Sequence, residues 1–260
     1  MKFVKPSFKI EWGVKNITKK IERAARNCYK SENLICQGSD LKLIDGLIAR
    51  GHFAMLEFGD ICVSSVTDRG ISHELVRHRI ASYAHESTRW CNYAKDKFNN
   101  EITYILPKRY YDFIEINEDG TYQFLSNLEP IDDNKIRAFY LWYEGCRRTE
   151  ELYLAEIALG ESPSEARDNL PNCLKTEIFM KCNVTEWRHV FWERAINKQA
   201  HQHMRQLMIP LLLKFSILMP NLFEDLLDKR DGVGDFAGKY WAEDKSIYDL
   251  DNRLIEVGDE

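Results

Sequence analysis

The sequence lacks the features that mark a membrane protein, an exported protein or a binder of long polyanions. Its 260 residues hold 36 Lys+Arg against 41 Asp+Glu, a net charge of −5. That balance excludes a chain-wide attraction to nucleic acid or anionic lipid. The first residues, "MKFVKPSFKIEW", scatter charges where a secretory leader needs an apolar run. The most apolar stretch, "LMIPLLLKFSILMP" from Leu207 to Pro220, is shorter than a bilayer span and carries Pro210 and Lys214, so it reads as core. Seven cysteines occur, an odd number, with no C-x-x-C and no pairing pattern. A reduced, cytoplasmic compartment follows, with the thiols expected to be buried and inert. Internal repeats and low-complexity linkers are also absent.

What is present is a chain long enough for one large domain or two small ones, with 44% hydrophobic residues. Ile21, Ala24, Ala25 and Cys28 share a face of a helix expected near 16–30. "DLKLIDGLIARG" predicts a second helix, capped by Asp40 and stopped at Gly51. "DICVSSVTD" predicts a strand and "ISHELVRHR" a helix. "ITYILP" reads as a strand, and Asp119-Gly120 as a turn. From Lys135 to Leu159 the spacing predicts a long helix that buries Ile136, Phe139, Tyr140, Tyr143, Cys146 and Leu152. Ser162, Pro163 and Glu165 form a capping box, and Pro171 ends the segment. "TEIFMKCNV" predicts a strand, followed by a helix from Thr185 to Gln206 or beyond, with Pro210 as kink or end. Residues 221–260 carry 12 acids against 5 bases, leaving 29 acids against 31 bases in the rest. The expected organisation is therefore a near-neutral catalytic domain, 1–220, and an acidic, solvated extension, 221–260.

Three motifs carry less than they suggest. "HELVRH" is not the zinc pattern H-E-x-x-H, because His73 and His78 are five apart, about 140° around a helix. His201 and His203, two apart, point to different sides of a helix, and no ligand set completes a metal site. "GVGDFA", Gly232 to Ala237, lacks the preceding strand and following chain of a dinucleotide fold.

The stretch "RHRIASYAHESTRW", Arg77 to Trp90, is different. Three arginines, two histidines and three hydroxyl residues share fourteen positions with one acid, Glu86. Guanidinium forks suit phosphate oxygens and the edges of planar heterocycles. Arg167 lies before a proline-terminated segment. Arg188, His189 and Arg194 are interleaved with Trp187, Phe191 and Trp192. Arginines among aromatics point to planar, anionic ligands.

These residues resemble the signature of the flavin-dependent thymidylate synthases, the ThyX family, in which R-H-R is followed, seven residues on, by Ser. Here Arg77-His78-Arg79 stands at that spacing from Ser87. "ERAARNCYKS" is similar to the family's A-A-R-x-x-Y, "LIARGHFAMLEF" to its G-H-x-x-x-x-E, and "EARDNLP" to its A-R-x-x-L-P. The block from "LKTEIF" to "AHQHMR" resembles its E-W-R-H-F-F and A-H-x-x-M-R segments. The resemblance covers roughly residues 16–215. It implies an α+β fold, a twisted sheet with long helices that is not a Rossmann fold. It also implies a homotetramer with active sites shared between subunits. The implied reaction is reductive methylation of dUMP to dTMP. Carbon would come from 5,10-methylenetetrahydrofolate and hydride from NADPH by way of FAD.

By the same resemblance, His52, Arg77, His78, Arg79, Ile80, Asn183 and His189 would contact FAD. Glu74, Arg77, His85, Glu86, Ser87, Arg89, Arg167 and Arg194 would hold dUMP. Arg194 would act catalytically at the uracil edge, stabilising charge that develops as the ring reacts. Ser87 would lie beside the ring as a hydrogen-bonding group. No P-C-H nucleophile motif of the classical thymidylate synthases occurs. The chain departs from the family at Ala84-His85, Trp90, Ala54, Phe58, Thr185 and Glu193, mostly flavin and pocket-edge positions. A flavin-dependent hydroxymethylase of dUMP or a related pyrimidine nucleotide stays open as an alternative, as does an inactive nucleotide- or flavin-binding module.

Overall fold

The computed structural model describes residues 1–125 and 132–228; the G-x-G-x-x-A stretch and most of the acidic extension lie outside them. Strands β1 (Lys2–Val4) and β2 (Ser7–Trp12) precede helices α1 (Ile17–Tyr29) and α2 (Ser39–Ala49). A 3₁₀ segment, Phe53–Phe58, leads into β3 (Asp60–Asp68), α3 (Arg69–Leu75) and β4 (Ala81–His85). Three short strands follow, β5 (Thr103–Ile105), β6 (Ile114–Ile116) and β7 (Tyr122–Phe124). Then come α4 (Asp133–Ala158), α5 (Pro163–Ala166), β8 (Lys175–Asn183) and α6 (Val184–Phe191). The chain continues through α7 (Gln202–Leu218), α8 (Pro220–Phe223) and α9 (Asp225–Asp228). The largest sheet has the order β2-β3-β8-β4, which is not the doubly wound order of dinucleotide folds. Among the described residues, no helix is long and apolar enough to cross a membrane.

The chain divides into two compact units. One comprises Met1–Ser7, Val66–Leu75 and Ala84–Ile178. Its core is aromatic. Phe3, Tyr104, Tyr110, Phe113, Phe139 and Tyr153 are almost fully buried, and Phe113 stacks on Phe139 at 4.6 Å. β1 pairs in parallel with β5, setting Phe3 opposite Tyr104. β6 and β7 form the hairpin expected at Asp119-Gly120, with Gly120 at φ +81°. Tyr140 and Leu152 of α4 are exposed, contrary to the expected face, and Tyr153 takes the inner position, its hydroxyl accepting from Tyr93 N. Ser162 precedes α5 as expected, but its carbonyl rather than its side chain accepts the first bonds.

The other unit comprises Phe8–Ser65, Val76–Tyr83 and Phe179–Glu260. Its centre is Trp187, whose indole N–H donates to Ile61 O at 3.0 Å. Phe191, Phe215 and Phe223 close around it with ring centroids 5.1–5.8 Å apart. Each phenyl ring so buried contributes about 1.5–3 kcal/mol by leaving water. Leu222, Phe223 and Leu226 are buried too, so the expected extension begins with ordered, packed residues.

Three expectations give way here. Asp40 does not cap α2; Gly38 occupies that position with φ +75°, and Asp40 accepts from Thr18 Oγ1 at 2.7 Å. Ile17 rather than the exposed Cys28 completes the inner face of α1. Cys36 is likewise exposed, whereas Cys62, Cys146 and Cys182 are buried as expected. Pro210 lies inside α7, where the burial of Leu207, Met208, Leu211, Leu212 and Phe215 offsets the roughly 3 kcal/mol a helix-interior proline costs.

Gly13 has φ +105°, and a Cβ there would lie 2.1 Å from Asp60 O. Gly38, also at positive φ, faces open space. Chemical denaturation of Gly13→Ala is expected to show a loss of about 2–4 kcal/mol, against about 1 kcal/mol for Gly38→Ala. Equal losses would mean that the close approach at Asp60 is not what requires glycine.

Candidate active site

The expected helix from Thr185 to Gln206 is interrupted, and the interruption makes the site. After α6 the chain widens into one π turn, Trp192–Ile196, closed by Asn197 N donating to Trp192 O at 2.9 Å. Asn197 then ends the helix with its own side chain, which accepts from Gln199 N at 2.9 Å. An asparagine that turns its amide oxygen back onto the backbone competes with helical bonds. Arg194 sits in the widened turn, where π geometry rotates a side chain off the ordinary helical face.

The expected helix through "ISHELVRHR" also stops early, at Leu75. Arg77 to Ile80 form a turn before β4. Burial of the His78 ring and a 2.8 Å bond from Tyr83 OH to His78 O hold that turn against helical propensity.

These segments enclose a cavity of about 840 Å³ in the second unit. The turn before β4 supplies Arg77, His78, Arg79 and Ile80. α6 supplies Thr185, Glu186 and His189, and the π turn supplies Glu193 and Arg194. Asn197, Gln199 and Ala200 complete the rim. Arg194 Nε donates to His78 Nε2 at 3.0 Å, and His78 Nδ1 lies 3.4 Å from Glu186 Oε1. The His78 and His189 rings meet edge to face at 5.7 Å. Burial, reinforced by the charges of Arg194 and His189, lowers the His78 pKa to about 4. Burial raises the Glu186 carboxyl, opposed by His189. None of the seven cysteines lines the cavity, and burial pushes the Cys62 thiol up to about 11.

Of the residues expected at the flavin, Arg77, His78, Arg79, Ile80 and His189 line this cavity together with Arg194. Asn183 does not line it; its side chain caps α6, accepting from Glu186 N at 2.8 Å. His52 is exposed at the start of the 3₁₀ segment and also stays outside the lining. Thr185, standing where the family often has arginine, anchors α6 by donating to Phe53 O at 2.8 Å. Arg188, grouped with the ligand arginines on sequence grounds, is buried and structural. It forms a two-pronged pair with Asp225 at 2.7 and 2.6 Å and lies over the Phe53 ring.

The remaining expected nucleotide residues, Glu74, His85, Glu86, Ser87, Arg89 and Arg167, belong to the first unit. The His85 imidazole is held rather than free. Its Nε2 lies 3.3 Å from Arg69 Nη1 and 3.0 Å from Thr176 Oγ1. Burial, then the charges of Arg69 and His73, lowers its pKa to about 4. The Glu86 carboxylate accepts from Tyr93 OH, Lys175 Nζ and Glu177 N at 3.1–3.2 Å. Arg69 also donates to Glu86 O at 3.2 Å, so both side-chain and backbone bonds fix the start of the Ser87–Arg89 segment. Arg89 is exposed, and Arg167 is half-buried with Nε donating to Ser164 O at 3.1 Å.

The sequence alone assigns no role to Glu186, Asn197, Gln199 or Ala200 in the cavity, nor to Arg69 and Lys175 elsewhere, and marks Thr185 and Glu193 only as departures from the family. Glu186 carried a readable signal. Asn183-x-x-Glu186 is a helix-start pattern, and Glu186 and His189, three apart, share a helix face.

The family model described as thymidylate synthase complementing protein matches residues 13–221. A flavin-dependent thymidylate synthase of Geobacter sulfurreducens is 27% identical over 209 residues, 78% of each chain. One of Corynebacterium aurimucosum is 29% identical over 208 residues, covering 79% of this chain and 78% of its own. Among solved structures, the UMP/dUMP methylase PolB of Streptomyces cacaoi bound with 5-Br dUMP superposes with a TM-score of 0.67. It is 16% identical, over 86% of this chain and 96% of its own, and shows the fold alone.

Both lowered histidines have a pH consequence. Their folded values lie near 4, below the ordinary 6.5. As pH falls, the unfolded chain takes up the protons first. Stability is therefore full above pH 6.5 and is lost as pH falls toward 4. Denaturant melts at pH 7 and pH 5 are expected to differ by about 2 kcal/mol per histidine. His78→Asn and His85→Asn should each remove one share, and a flat profile in the wild-type chain would contradict the buried neutral rings.

Proposed function

The chain belongs to the thymidylate synthase complementing protein family, and from that premise we propose that it is a flavin-dependent thymidylate synthase. It reductively methylates dUMP to dTMP, with 5,10-methylenetetrahydrofolate as carbon donor and NADPH as reductant. The observation that carries the reading is the cavity that gathers Arg77, His78, Arg79, His189 and Arg194 from segments far apart in sequence.

The lining fits FAD as a donor set. Arg77 and Arg79 are exposed guanidiniums on a turn, suited to pyrophosphate oxygens, and the volume lies in the range of small-molecule sites. His78, His189 and Ile80 add ring and apolar surface. Bound FAD supplies hydride chemistry that no side chain provides. Everything else falls to the protein. Arg194 presents a permanent cation to the O2/N3 edge of uracil, stabilising negative charge as C5 becomes nucleophilic. Ser87, Arg89 and Arg167 hold the nucleotide, with the Glu86 and Arg69 bonds fixing the segment that carries Ser87. Glu74 and His85 complete that set. This chemistry needs no cysteine as nucleophile. The enzyme works as a homotetramer with shared active sites in the cytoplasm; sedimentation of a monomer at assay concentration would overturn that assembly.

The test is the mass of the nucleotide after incubation with dUMP, methylenetetrahydrofolate, NADPH and FAD. A product one methylene heavier is expected. A hydroxymethyl product, or unchanged dUMP with flavin bound, would refute the proposal. Arg194→Ala is expected to lower kcat by about 10²–10³ while the fold is retained. Undiminished turnover in that variant would rule out the electrostatic role.

A further inference from the structure

Four neighbours hold His78 at the cavity wall. Arg194 Nε reaches its Nε2, Glu186 faces its Nδ1, the His189 edge meets its ring, and Tyr83 OH holds its carbonyl. We propose that Glu186 and His78 are positioning residues, forming a Glu186–His78–Arg194 chain that orients the Arg194 guanidinium. The inference rests on Arg194 being the cation that meets the uracil.

A guanidinium carries its Nε–H at every physiological pH and can only donate. His78 Nε2 must therefore be bare, and in a neutral ring the single proton sits on Nδ1. That places an N–H opposite the Glu186 carboxylate, 3.4 Å away. The carboxylate favours this tautomer, and the tautomer in turn supplies the lone pair that Arg194 needs. With the proton on the other nitrogen, two N–H groups would face each other at 3.0 Å, and the guanidinium would swing off. The bond at Nε fixes rotation about the long arginine side chain, whose planar fork works only in one orientation. Burial strengthens the device: Glu186 is 7% exposed and His78 6%, which limits competition from water.

The device joins residues that sequence spacing keeps apart. Glu186 enters from the first turn of α6, capped by Asn183, and Arg194 from the π turn that follows. An uninterrupted α-helix would put residues 186 and 194 about 80° apart, on neighbouring faces. The π turn shifts that relation, and His78 links the two.

Two measurements test the chain. The first needs no turnover: a long-range ¹H–¹⁵N spectrum of the histidines in the whole protein at neutral pH. His78 is expected with its proton on Nδ1 and a bare Nε2, identified by its loss in His78→Gln. A proton on Nε2 would overturn the proposal. The second is steady-state kinetics of the flavin-loaded enzyme. Glu186→Ala is expected to lower kcat roughly tenfold with KM for dUMP within about twofold. Glu186→Gln, whose amide oxygen still accepts from Nδ1–H, is expected to recover kcat to within about threefold of wild type. Equal losses in the two variants would refute the acceptor role. If the wild-type protein leaves dUMP unchanged, the functional reading fails, and the spectrum alone decides whether the chain exists.

Discussion

A histidine buried beside a guanidinium has to stay neutral, and the cavity is organised around that constraint. His78 sits at 6% exposure with Arg194 on one nitrogen and Glu186 opposite the other. Protonation would place two cations in contact away from water, which is why burial and Arg194 together hold the ring's pKa near 4. A neutral ring can accept a hydrogen bond, and a charged one cannot. The permanent charge of the site is thereby concentrated in its arginines, while the imidazole between them serves as a rigid acceptor.

The same logic recurs in the first unit with different partners. His85 is neutral under Arg69, and Glu86 is spent on Tyr93, Lys175 and the Glu177 backbone. Ala84-His85 is one of the departures from the family pattern. Arg69 and Thr176 supply local contacts that accommodate the imidazole, so the substitution comes with its own support. In both units the charged residues of the signature divide into two kinds. Some are locked into the protein, as Glu86 is. Others, such as Arg77, Arg79 and Arg89, are exposed.

Much of this was legible before any coordinates. The helix at 16–30, the strand at "DICVSSVTD", the long helix from Lys135 to Leu159 and the strand at "TEIFMKCNV" all form within a few residues of expectation. Their signals are local: periodicity, turn residues and strand-forming runs act over one element. The failures share a cause. Residue type suggests roles for Asp40 and Arg188, and helical spacing suggests burial for Tyr140 and Leu152, but each depends on what the fold places beside it. Thr18 takes up Asp40, and Asp225 takes up Arg188. Neither partner is near in sequence, so neither contributes to a periodicity.

By itself, the sequence determined the chemical inventory and the family: a cluster of arginines, histidines and hydroxyls, with blocks in family order on either side. Only the tertiary structure decided which of those groups line the cavity and which are anchors. It interrupted the expected long helix at a π turn, ended another at Leu75, and brought Arg194 within 3.0 Å of a ring 116 residues earlier. The physical reason is that a proton's position and an arginine's orientation are set by desolvation and by distant partners. Those terms arise when the chain is packed, and they leave no spacing in the sequence to read.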